Sequence, residues 1–389
     1  MRSTAFRGRP PSQHDLIPVR EPRLAALDGL RILAALMVVA YHYMAFASGA
    51  WPEPVQDLFP HAYLPASYGW LGVQLFFLIS GFVICMSCWG KSVGDFGVSR
   101  AARLYPAYWF AVLATALVVT VWPPPGTEPL SLGDVGANLT MFHEPMGVDP
   151  VDGVYWTLWV EMRFYLLFAL VVWKGLDYRR TLAFCVLWAV AGFMALELDN
   201  EALDLLVMPS HCWYFIAGIA FYLMYRFGPN LLLWGVVAGC FLVSQDLLMD
   251  AHERAEGYVG HTMPQWPTAV LLALFFAALA AVALGYTGRI RWRWLSTAGA
   301  LTYPLYLIHE RIGWVVIEHT GDRLPPPALL LLLVSGMLGA AWLVQRWIER
   351  PLARALRGGL RIAVTQVRVG SRPPLPRPEP APKTPEPVP

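Results

Sequence analysis

The chain has 389 residues, of which 57% are hydrophobic and only 14% are charged, and its mean hydropathy is +0.47. Soluble domains carry about 25% charged residues, so this composition excludes an ordinary soluble protein and indicates one that resides in a lipid bilayer. The formal net charge of +2 gives no reason to expect a nucleic-acid partner, because the distribution of charge along a membrane chain carries more information than its sum.

The two ends of the chain differ from its middle. Five arginines and several prolines without an apolar core predict a cytoplasmic N-terminal lead over residues 1–23, rather than a cleaved signal peptide. Residues 24–352 are expected to form a transmembrane domain. The last segment, 353–389, is basic and Pro-rich, and we expect a disordered cytoplasmic tail there because it cannot bury a core.

Ten apolar segments approach the length of about 20 residues that a helix needs to cross a bilayer. They lie near 27–46, 69–89, 104–122, 155–173, 180–197, 205–225, 230–249, 267–287, 294–317 and 326–347. The sequence therefore predicts an all-α, polytopic membrane bundle of about ten transmembrane helices. No internal repeat is visible, which weakens the interpretation as a transporter built from two related halves.

The 29 Lys and Arg residues are distributed unequally between the two sides of these segments. Twenty-four fall on one side or at the segment ends next to it, only Arg254 and Arg323 fall on the other side, and three lie well inside the segments. By the positive-inside rule the basic side is cytoplasmic, so both termini are expected in the cytoplasm. This predicts a multi-pass protein of a bacterial-type cytoplasmic (inner) membrane.

Ionisable side chains inside a membrane segment are candidate functional groups, because each costs at least about 2.5 kcal/mol to insert at mid-helix. His42 and Glu161 fall in the outer half of the first and fourth segments, with apolar helix on both sides. Arg31 precedes His42 by eleven residues, which at 100° and 1.5 Å per residue gives about 20° beyond three full turns and a rise of about 16 Å. Arg31 and His42 therefore share one helix face.

Two further groups of side chains are candidates for ligand binding. Arg100 and Arg103 form an i, i+3 pair where the third span is expected to begin, a placement that suits phosphate groups. Ordinary positive-inside charge explains this pair at least as well and stays open. Tyr303 and Tyr306 recur on one helix face, and His309 follows three residues later. For these three, an acceptor-binding role and an aromatic belt with core packing are both open.

The five cysteines all fall in or beside apolar segments and lack the spacing of a disulfide framework. Cys85 and Cys88 form a C-x-x-C pair, but no second pair of ligands accompanies it in the sequence. We interpret both as small residues of a membrane helix and expect no metal site.

Five segments together resemble the acyltransferase-3 family of integral membrane O-acyltransferases. They are LDGLRILAALMVVAYHY (27–43), LGVQLFFLISGF (71–82), SRAARLYP (99–106), YWTLWVEMRFYLLF (155–168) and LTYPLYLIHE (301–310). The resemblance runs from about residue 24 to 352. It implies ten core helices and the transfer of an acyl group, commonly acetyl, from coenzyme A to a hydroxyl of a sugar-containing acceptor.

The resemblance also implies roles for individual residues. Arg31 and His42 are expected to be essential, and Glu161 is expected to belong to the catalytic centre. Arg100 and Arg103 are expected to contribute to the donor site, with acyl-CoA (acetyl-CoA) docking from the cytoplasm beside Arg31. The implied partners are the lipid bilayer, acyl-CoA and a carbohydrate-containing acceptor, either a cell-envelope glycan or a glycosylated metabolite such as a macrolide.

In the mechanism implied here, His42 removes the proton of the acceptor hydroxyl as a general base, and Glu161 holds the imidazole in one tautomer. An acyl-histidine intermediate is equally open, and either Arg31 or Tyr306 could stabilise the thioester oxyanion. Two other protein classes stay open from the residues alone. One is a proton-coupled transporter of an anionic solute, and the other is a membrane anchor whose Pro-rich tail recruits partners.

Overall fold

The computed structural model describes residues 24–46, 48–123, 129–198 and 200–370, with side chains as far as residue 366. The predicted lead 1–23 and the last part of the predicted tail, 371–389, lie outside the described residues. Within the described ranges the regular structure is helical and includes no strand. This confirms the prediction of an all-α membrane bundle.

Sixteen α-helices follow one another along the described chain. In order they are α1 (Ala25–Met44), α2 (Val55–Leu58), α3 (Tyr63–Ala66), α4 (Gly72–Cys88), α5 (Val93–Val121), α6 (Leu132–Thr140), α7 (Trp156–Lys174), α8 (Tyr178–Leu198), α9 (Glu201–Val207), α10 (Cys212–Phe227), α11 (Leu231–Val259), α12 (Trp266–Ala283), α13 (Arg293–Ile308), α14 (Glu310–Thr320), α15 (Pro326–Val344) and α16 (Arg350–Gly370). The centre of the bundle forms where α1 packs between α4 and α13, and where α10 packs against α4, α8 and α11.

Nine helical stretches of the described chain are long and apolar enough to cross a membrane. They correspond to nine of the ten predicted segments, from the first near 27–46 to the last near 326–347. The exception is the predicted segment 294–317, which consists of two shorter helices, α13 and α14, that meet at His309. The protein is therefore a polytopic membrane bundle in which one predicted crossing is interrupted.

Side chains hydrogen-bond to backbone carbonyls around the break at His309. The Tyr43 hydroxyl donates to the carbonyl of His309 at 2.5 Å, and the Tyr155 hydroxyl donates to the carbonyl of Leu307 at 3.3 Å. The ring of His309 lies with Nδ1 2.8 Å from the carbonyl oxygen of Tyr306. Irregular backbone at membrane depth needs such partners, because hydrocarbon offers no water to replace a lost helix hydrogen bond.

Glycines allow the central helices to touch backbone to backbone. A Cβ atom at Gly81 of α4 would overlap the carbonyl oxygen of Phe215 in α10, and one at Gly218 of α10 would overlap that of Leu78 in α4. Small residues at such contacts are typical of membrane helices, which associate by close packing. Because α4 is fixed against α10 in this way, the side chain of Ser80 beside Gly81 has a defined position.

Helix α1 is held as closely as α4. A Cβ at Gly72 of α4 would overlap the carbonyl oxygen of Ala34 in α1, and one at Gly299 of α13 would lie 2.7 Å from the side chain of Asp28 in α1. Each of these glycines lets a neighbouring helix approach more closely than any other residue would allow. The helix that carries two of the candidate site residues is therefore wedged between α4 and α13.

The third crossing begins earlier than the sequence predicted. α5 starts at Val93, where the hydroxyl of Ser92 accepts a hydrogen bond from the backbone N–H of Asp95 at 3.2 Å and caps the helix. Arg100 and Arg103 consequently lie two to three turns inside α5. Any phosphate contact of this pair must come from the guanidinium groups, because the free N–H groups of the helix terminus are too far away.

The described part of the predicted tail is helical. A π-helical turn, Gln345–Glu349, joins α15 to α16, which continues to Gly370. The prediction of disorder from residue 353 therefore differs from the structure over 353–370. Leu, Ala and Arg are strong helix formers, and α16 gains packing contacts with α5 that composition alone does not reveal.

Candidate active site

A cavity lies among α1, α4, α5, α7 and α13, and each of the five helices contributes polar side chains to it. These side chains are Arg31, Ser80, Arg100, Arg103, Thr157, Glu161, Tyr165, Thr302, Tyr303 and Tyr306. The rest of the wall is apolar, as in most pockets that bind small molecules. Six of the eight predicted site residues therefore meet in one space, whereas His42 and His309 are not part of its lining.

Three guanidinium groups give the cavity its positive charge. Across the described chain no cluster of three or more His, Cys, Asp or Glu residues is placed to hold a metal ion. Arg31 forms an ion pair with Asp28 on the same helix at 3.7 Å. Arg103 pairs with Glu349 and lies 5.2 Å over the ring of Tyr303. Both arginines are thus oriented by a carboxylate while their side chains stay partly exposed, at 28% and 36%.

Arg100 is held differently from the other two arginines. Its Nη2 donates to the hydroxyl of Ser99 at 3.1 Å, and its guanidinium lies 5.9 Å over the ring of Tyr165. Its Nε is buried and has no hydrogen-bond partner among the described residues. A buried donor without a partner is costly, and Arg100 therefore has hydrogen-bonding capacity that the described residues do not use.

Glu161 projects from α7 into the same cavity. The hydroxyl of Ser80 donates to its Oε1 at 2.8 Å, and the position of Ser80 is set by the packing of α4 on α10. The hypothesis that Glu161 holds the imidazole of His42 does not match this geometry, because the ring of His42 is bonded to His309. His42 meets His309 and not Glu161 because α1 packs against the break between α13 and α14. This contact joins segments that are far apart in the sequence, so the spacing of residues does not predict it.

His42 lies near the outer end of α1 with only 11% of its side chain exposed, so the ring faces protein and not lipid. Its Nδ1 lies 3.0 Å from Nε2 of His309, and its Nε2 lies 3.8 Å from Oε2 of Glu310. The carbonyl of His42 accepts a hydrogen bond from the indole of Trp314 at 3.0 Å. The interrupted crossing α13–α14 therefore supplies the polar surroundings of the His42 ring.

These hydrogen bonds assign a tautomer to each histidine. A carbonyl oxygen can only accept, so Nδ1 of His309, which faces the carbonyl of Tyr306, carries a proton. A neutral His309 then has its lone pair on Nε2, and Nδ1 of His42 must donate to that lone pair. A neutral His42 is left with its own lone pair on Nε2, where a general base needs it.

Two buried carboxyl groups lie beyond His42. Asp152, in the connection before α7, accepts from the backbone N–H of Val154 at 3.2 Å and of Arg311 at 3.1 Å. Burial raises the pKa of Asp152 to about 6, although these N–H donors act to lower it. The side chain of Glu310 hydrogen-bonds to Asp152, which requires a proton between them because adjacent carboxylates repel. Since Asp152 already accepts two N–H groups, this proton belongs on Glu310.

Gly153 makes room for the carboxyl pair. A Cβ at this position would lie 2.5 Å from Oε1 of Glu310, so a larger residue would displace the Glu310 carboxyl from its place against the backbone. Asp152 and Gly153 were not among the predicted site residues. For Glu310 the sequence carries a signal, an acid within the ninth predicted span. The contact with Asp152 has no such signal, because it joins distant segments of the chain.

The two tyrosines predicted for the acceptor site line the cavity, but their hydroxyls have partners within the protein. The hydroxyl of Tyr306 lies 3.0 Å from that of Thr157, and the hydroxyl of Tyr303 donates to the carbonyl of Leu104 at 3.0 Å. The ring of Tyr306 also lies 5.7 Å from the ring of His309. Tyr306 therefore stands between the cavity and the paired histidines.

Aromatic side chains surround His42 on a second side. The rings of Phe46 and Trp314 lie 5.8 and 5.9 Å from the ring of His42. Phe46 in turn stacks on Trp314 at 5.1 Å and on Tyr258 at 5.5 Å. Tyr258 is 57% exposed, so this aromatic cluster reaches from the buried histidine to the surface. Such a surface can pack against the apolar faces of a ligand.

Comparisons with known proteins agree on one class of enzyme. A sequence model described as "Acyltransferase domain" matches residues 24–346. The chain is 28% identical over 380 residues to the Acyltransferase MdmB of Streptomyces mycarofaciens, a match that covers 87% of this chain and 94% of that protein. It is 26% identical over 168 residues to the O-acetyltransferase OatA of Staphylococcus aureus, which covers 38% of this chain and only 24% of OatA. No solved structure matches the chain.

Proposed function

Because the chain belongs to the acyltransferase-3 family, we propose that this membrane acyltransferase transfers an acyl group, acetyl in the first instance, from acyl-CoA to a hydroxyl of a carbohydrate-containing acceptor. The observation that carries the proposal is an arginine-lined cavity with, beyond Tyr306, a buried histidine whose hydrogen bonds leave its lone pair on Nε2. The similarity to an O-acetyltransferase supports acetyl as the group transferred. The excess of Lys and Arg on one side of the spans supports a bacterial-type cytoplasmic membrane.

Acyl-CoA is expected to enter the cavity from the cytoplasmic side. Its phosphate groups are matched by the guanidinium groups of Arg100 and Arg103, which can bind phosphate oxygens in pairs. Arg31 also lines the cavity and adds a third positive charge. The rise from Arg31 to His42 along α1 is about 16 Å, a distance that an extended pantetheine arm can bridge. The thioester would then lie near Tyr306, beside the histidine pair.

The transfer itself needs one base and one acid, and His42 can serve as both in turn. Its Nε2 removes the proton of the acceptor hydroxyl as the oxygen attacks the thioester carbonyl carbon and forms a tetrahedral adduct. The adduct collapses with cleavage of the carbon–sulfur bond, and the imidazolium returns the proton to the thiolate of coenzyme A. His309 accepts a hydrogen bond from Nδ1 of His42 throughout and keeps Nε2 directed at the reacting groups.

Two further cavity residues are proposed to assist the donor. Glu161, oriented by Ser80, can accept hydrogen bonds from the amide groups of the pantetheine arm. For the thioester oxyanion we favour the hydroxyl of Tyr306 over Arg31. The separation of about 16 Å along α1 puts Arg31 near the phosphates, whereas Tyr306 lies one helix turn from His309.

The acceptor is proposed to approach from the aromatic cluster of Phe46, Tyr258 and Trp314. This cluster connects the surface to the His42 ring without passing through the donor cavity. A sugar hydroxyl could therefore reach Nε2 while the donor occupies the cavity. A cell-envelope glycan and a glycosylated metabolite such as a macrolide both present hydroxyls of this kind.

The proposal is tested with purified protein in lipid nanodiscs, labelled acetyl-CoA, and panels of glycan and glycosylated-metabolite acceptors, followed by mass spectrometry of the products. Wild-type protein should yield an O-acylated product, and His42→Ala should yield none. His61→Ala, which removes an exposed histidine, is the matched control and should keep wild-type activity. A folded His42→Ala protein that still transfers the acyl group would refute the role of His42.

The same experiment separates the alternatives. A transporter of an anionic solute makes no acylated product under any of these conditions. An acyl-histidine route predicts that protein incubated with acetyl-CoA alone gains one acetyl group on His42, visible by intact-mass analysis and peptide mapping. Direct attack by the acceptor predicts no such adduct.

A further inference from the structure

A groove separate from the cavity runs between α5 and α16. Its charged lining consists of Arg103, Arg346, Glu349, Arg350, Arg354 and Arg357. Five guanidinium groups therefore face one carboxylate, and Glu349 is already paired with Arg103. The groove carries an excess of positive charge at the end of the bundle that the positive-inside rule assigns to the cytoplasm.

Three of the five arginines of the groove form one stripe of α16. Arg350, Arg354 and Arg357 are spaced i, i+4, i+7, so they fall within about 60° of helix circumference and rise by about 10 Å. All three are exposed. When the amide of Gln345 is oriented with its oxygen toward Arg350, that oxygen accepts from Nη2 and Nε of Arg350 at 2.9 and 2.8 Å. Nε of Arg354 donates to the carbonyl of Arg350 at 3.3 Å. The stripe is thus partly preorganised.

Arg103 connects the groove to the cavity. Its guanidinium lines both spaces, between Tyr303 on the cavity side and Glu349 on the groove side. A ligand with anionic groups at two separate places could therefore lie across Arg103, with one end in each space. Acyl-CoA has this form, because it carries a diphosphate next to the pantetheine arm and a further phosphate on the 3′ position of its ribose.

We propose that the groove binds the 3′-phosphate and the adenosine end of acyl-CoA, chiefly through Arg354 and Arg357, while Arg100 and Arg103 bind the diphosphate. This inference rests on the proposed use of acyl-CoA as the donor. Arginine suits the site because its planar guanidinium binds phosphate oxygens in pairs. Anionic lipid headgroups offer the same phosphate chemistry. Arg103 lines both the groove and the donor cavity, and this shared residue favours the nucleotide.

The first test uses wild-type protein and therefore does not depend on the folding of a variant. Initial rates are measured with acetyl-CoA and with acetyl-3′-dephospho-CoA, which differ only in the 3′-phosphate. We expect the KM for the dephospho donor to be at least about tenfold higher, with kcat little changed, because a uniform binding interaction is lost. Equal KM values for the two donors would overturn the inference.

The second test uses the variant Arg354→Gln/Arg357→Gln. It should raise the KM for acetyl-CoA about tenfold or more and leave the KM for acetyl-3′-dephospho-CoA unchanged, so that the two donors become equivalent. The control is Arg361→Gln, an exposed arginine one turn further along α16 that does not line the groove. It should leave both KM values as in the wild type.

Two measurements distinguish the other outcomes. If lipid headgroups fill the groove, the double variant should shift both donors equally, and the shift should disappear in nanodiscs made of phosphatidylcholine alone; that result would overturn the inference. Calorimetric titration with adenosine 3′,5′-bisphosphate gives a readout besides activity, and the double variant should lose this binding. Failure of every acyl-CoA to support transfer, with binding of the bisphosphate intact, would count against the proposed function and not against the groove.

Discussion

Nδ1 of His42 lies 3.0 Å from Nε2 of His309, and this contact joins the first crossing to the break in the ninth predicted one. The contact matters because Nδ1 of His309 donates to the carbonyl of Tyr306. The chain of two hydrogen bonds leaves only one arrangement of protons for two neutral rings. We therefore propose His309 as a positioning residue that keeps the lone pair of His42 on Nε2 during the proposed reaction.

Replacing His309 should separate this positioning role from simple packing. Gln offers an amide oxygen that can still accept from Nδ1 of His42, whereas Leu of similar size cannot. We expect His309→Leu to lower kcat by about 10²-fold or more and His309→Gln to recover a substantial part of that loss. The KM for acetyl-CoA should stay within about twofold of the wild type in both, as measured by steady-state kinetics.

A structural role alone would give a different pattern. If His309 only filled space, Leu and Gln would reduce the amount of folded protein similarly, and the remaining folded fraction would turn over at the wild-type rate. Thermal unfolding of both variants, with the exposed His61→Gln as the matched control, measures the folded fraction. Equal kcat values for the Leu and Gln variants would contradict the tautomer assignment.

The hydrogen bond from Ser80 to Glu161 should be visible in a double-mutant cycle. Hydrogen bonds to charged groups contribute about 1.5–3 kcal/mol, so Ser80→Ala should lower kcat/KM for acetyl-CoA by about tenfold or more. In a Glu161→Gln background the same change should have a much smaller effect, because the charged acceptor is gone. The four proteins are compared by initial rates. Fully additive effects would show that Ser80 does not act through Glu161.

The arginines and Glu161 of the cavity could be predicted from the sequence. Charged residues in apolar helices are rare and costly, so each one stands out without knowledge of the fold. The helical repeat then places Arg31 and His42 on one face of α1, which rests on local geometry alone. These features are encoded within single helices, and single helices are what an apolar sequence pattern predicts best.

The partners of His42 could not be predicted in the same way. The sequence predicts Glu161 as the partner of His42 because both lie in the outer half of their spans. Depth in the membrane, however, does not determine which helices touch. The glycine contacts that wedge α1 between α4 and α13 decide this. His309 becomes the partner because the helix breaks there, and the sequence signal nearby was Pro304, which remains inside α13.

The composition of the tail conceals the groove on α16. Proline is abundant only toward the end of 353–389, whereas the part up to residue 370 contains mainly residues that favour helix. The stripe of Arg350, Arg354 and Arg357 has a clear spacing of i, i+4, i+7 on one face. Helical periodicity, rather than the average composition of the whole tail, is the signal that predicts it.

The buried carboxyl of Asp152 should make stability depend on pH. Burial raises its pKa from an ordinary 3.8 to about 6, so between about pH 4 and 6 the folded protein holds a proton that the unfolded chain has released. The free energy of unfolding should therefore fall as the pH rises through this range, and Asp152 should account for up to about 3 kcal/mol of that fall. Thermal unfolding midpoints in detergent at pH 4.5 and 6.5 measure the effect.

Asp152→Asn cannot ionise, so it should lose the part of this difference that Asp152 contributes, and its midpoint should fall less between the two pH values than that of the wild type. The exposed Asp57→Asn serves as the control and should retain the difference. An Asp152→Asn protein with the same fall in midpoint as the wild type would assign the titration to another group. Glu310, which hydrogen-bonds to Asp152, would then be the next to replace.

The backbone contact between α4 and α10 should be the most sensitive packing feature near the cavity. Ala at Gly81 would place a Cβ on the carbonyl oxygen of Phe215, and the helices would have to separate. We expect Gly81→Ala to lower the free energy of unfolding by at least about 2 kcal/mol and to reduce activity, because Ser80 and with it Glu161 would shift.

The control is Gly239→Ala in α11, where a Cβ meets nothing within 4 Å. Replacing a helical glycine there should stabilise the protein by up to about 1 kcal/mol. Thermal unfolding in one detergent compares the two variants, and a Gly81→Ala protein as stable as Gly239→Ala would mean that α4 and α10 do not meet at their backbones.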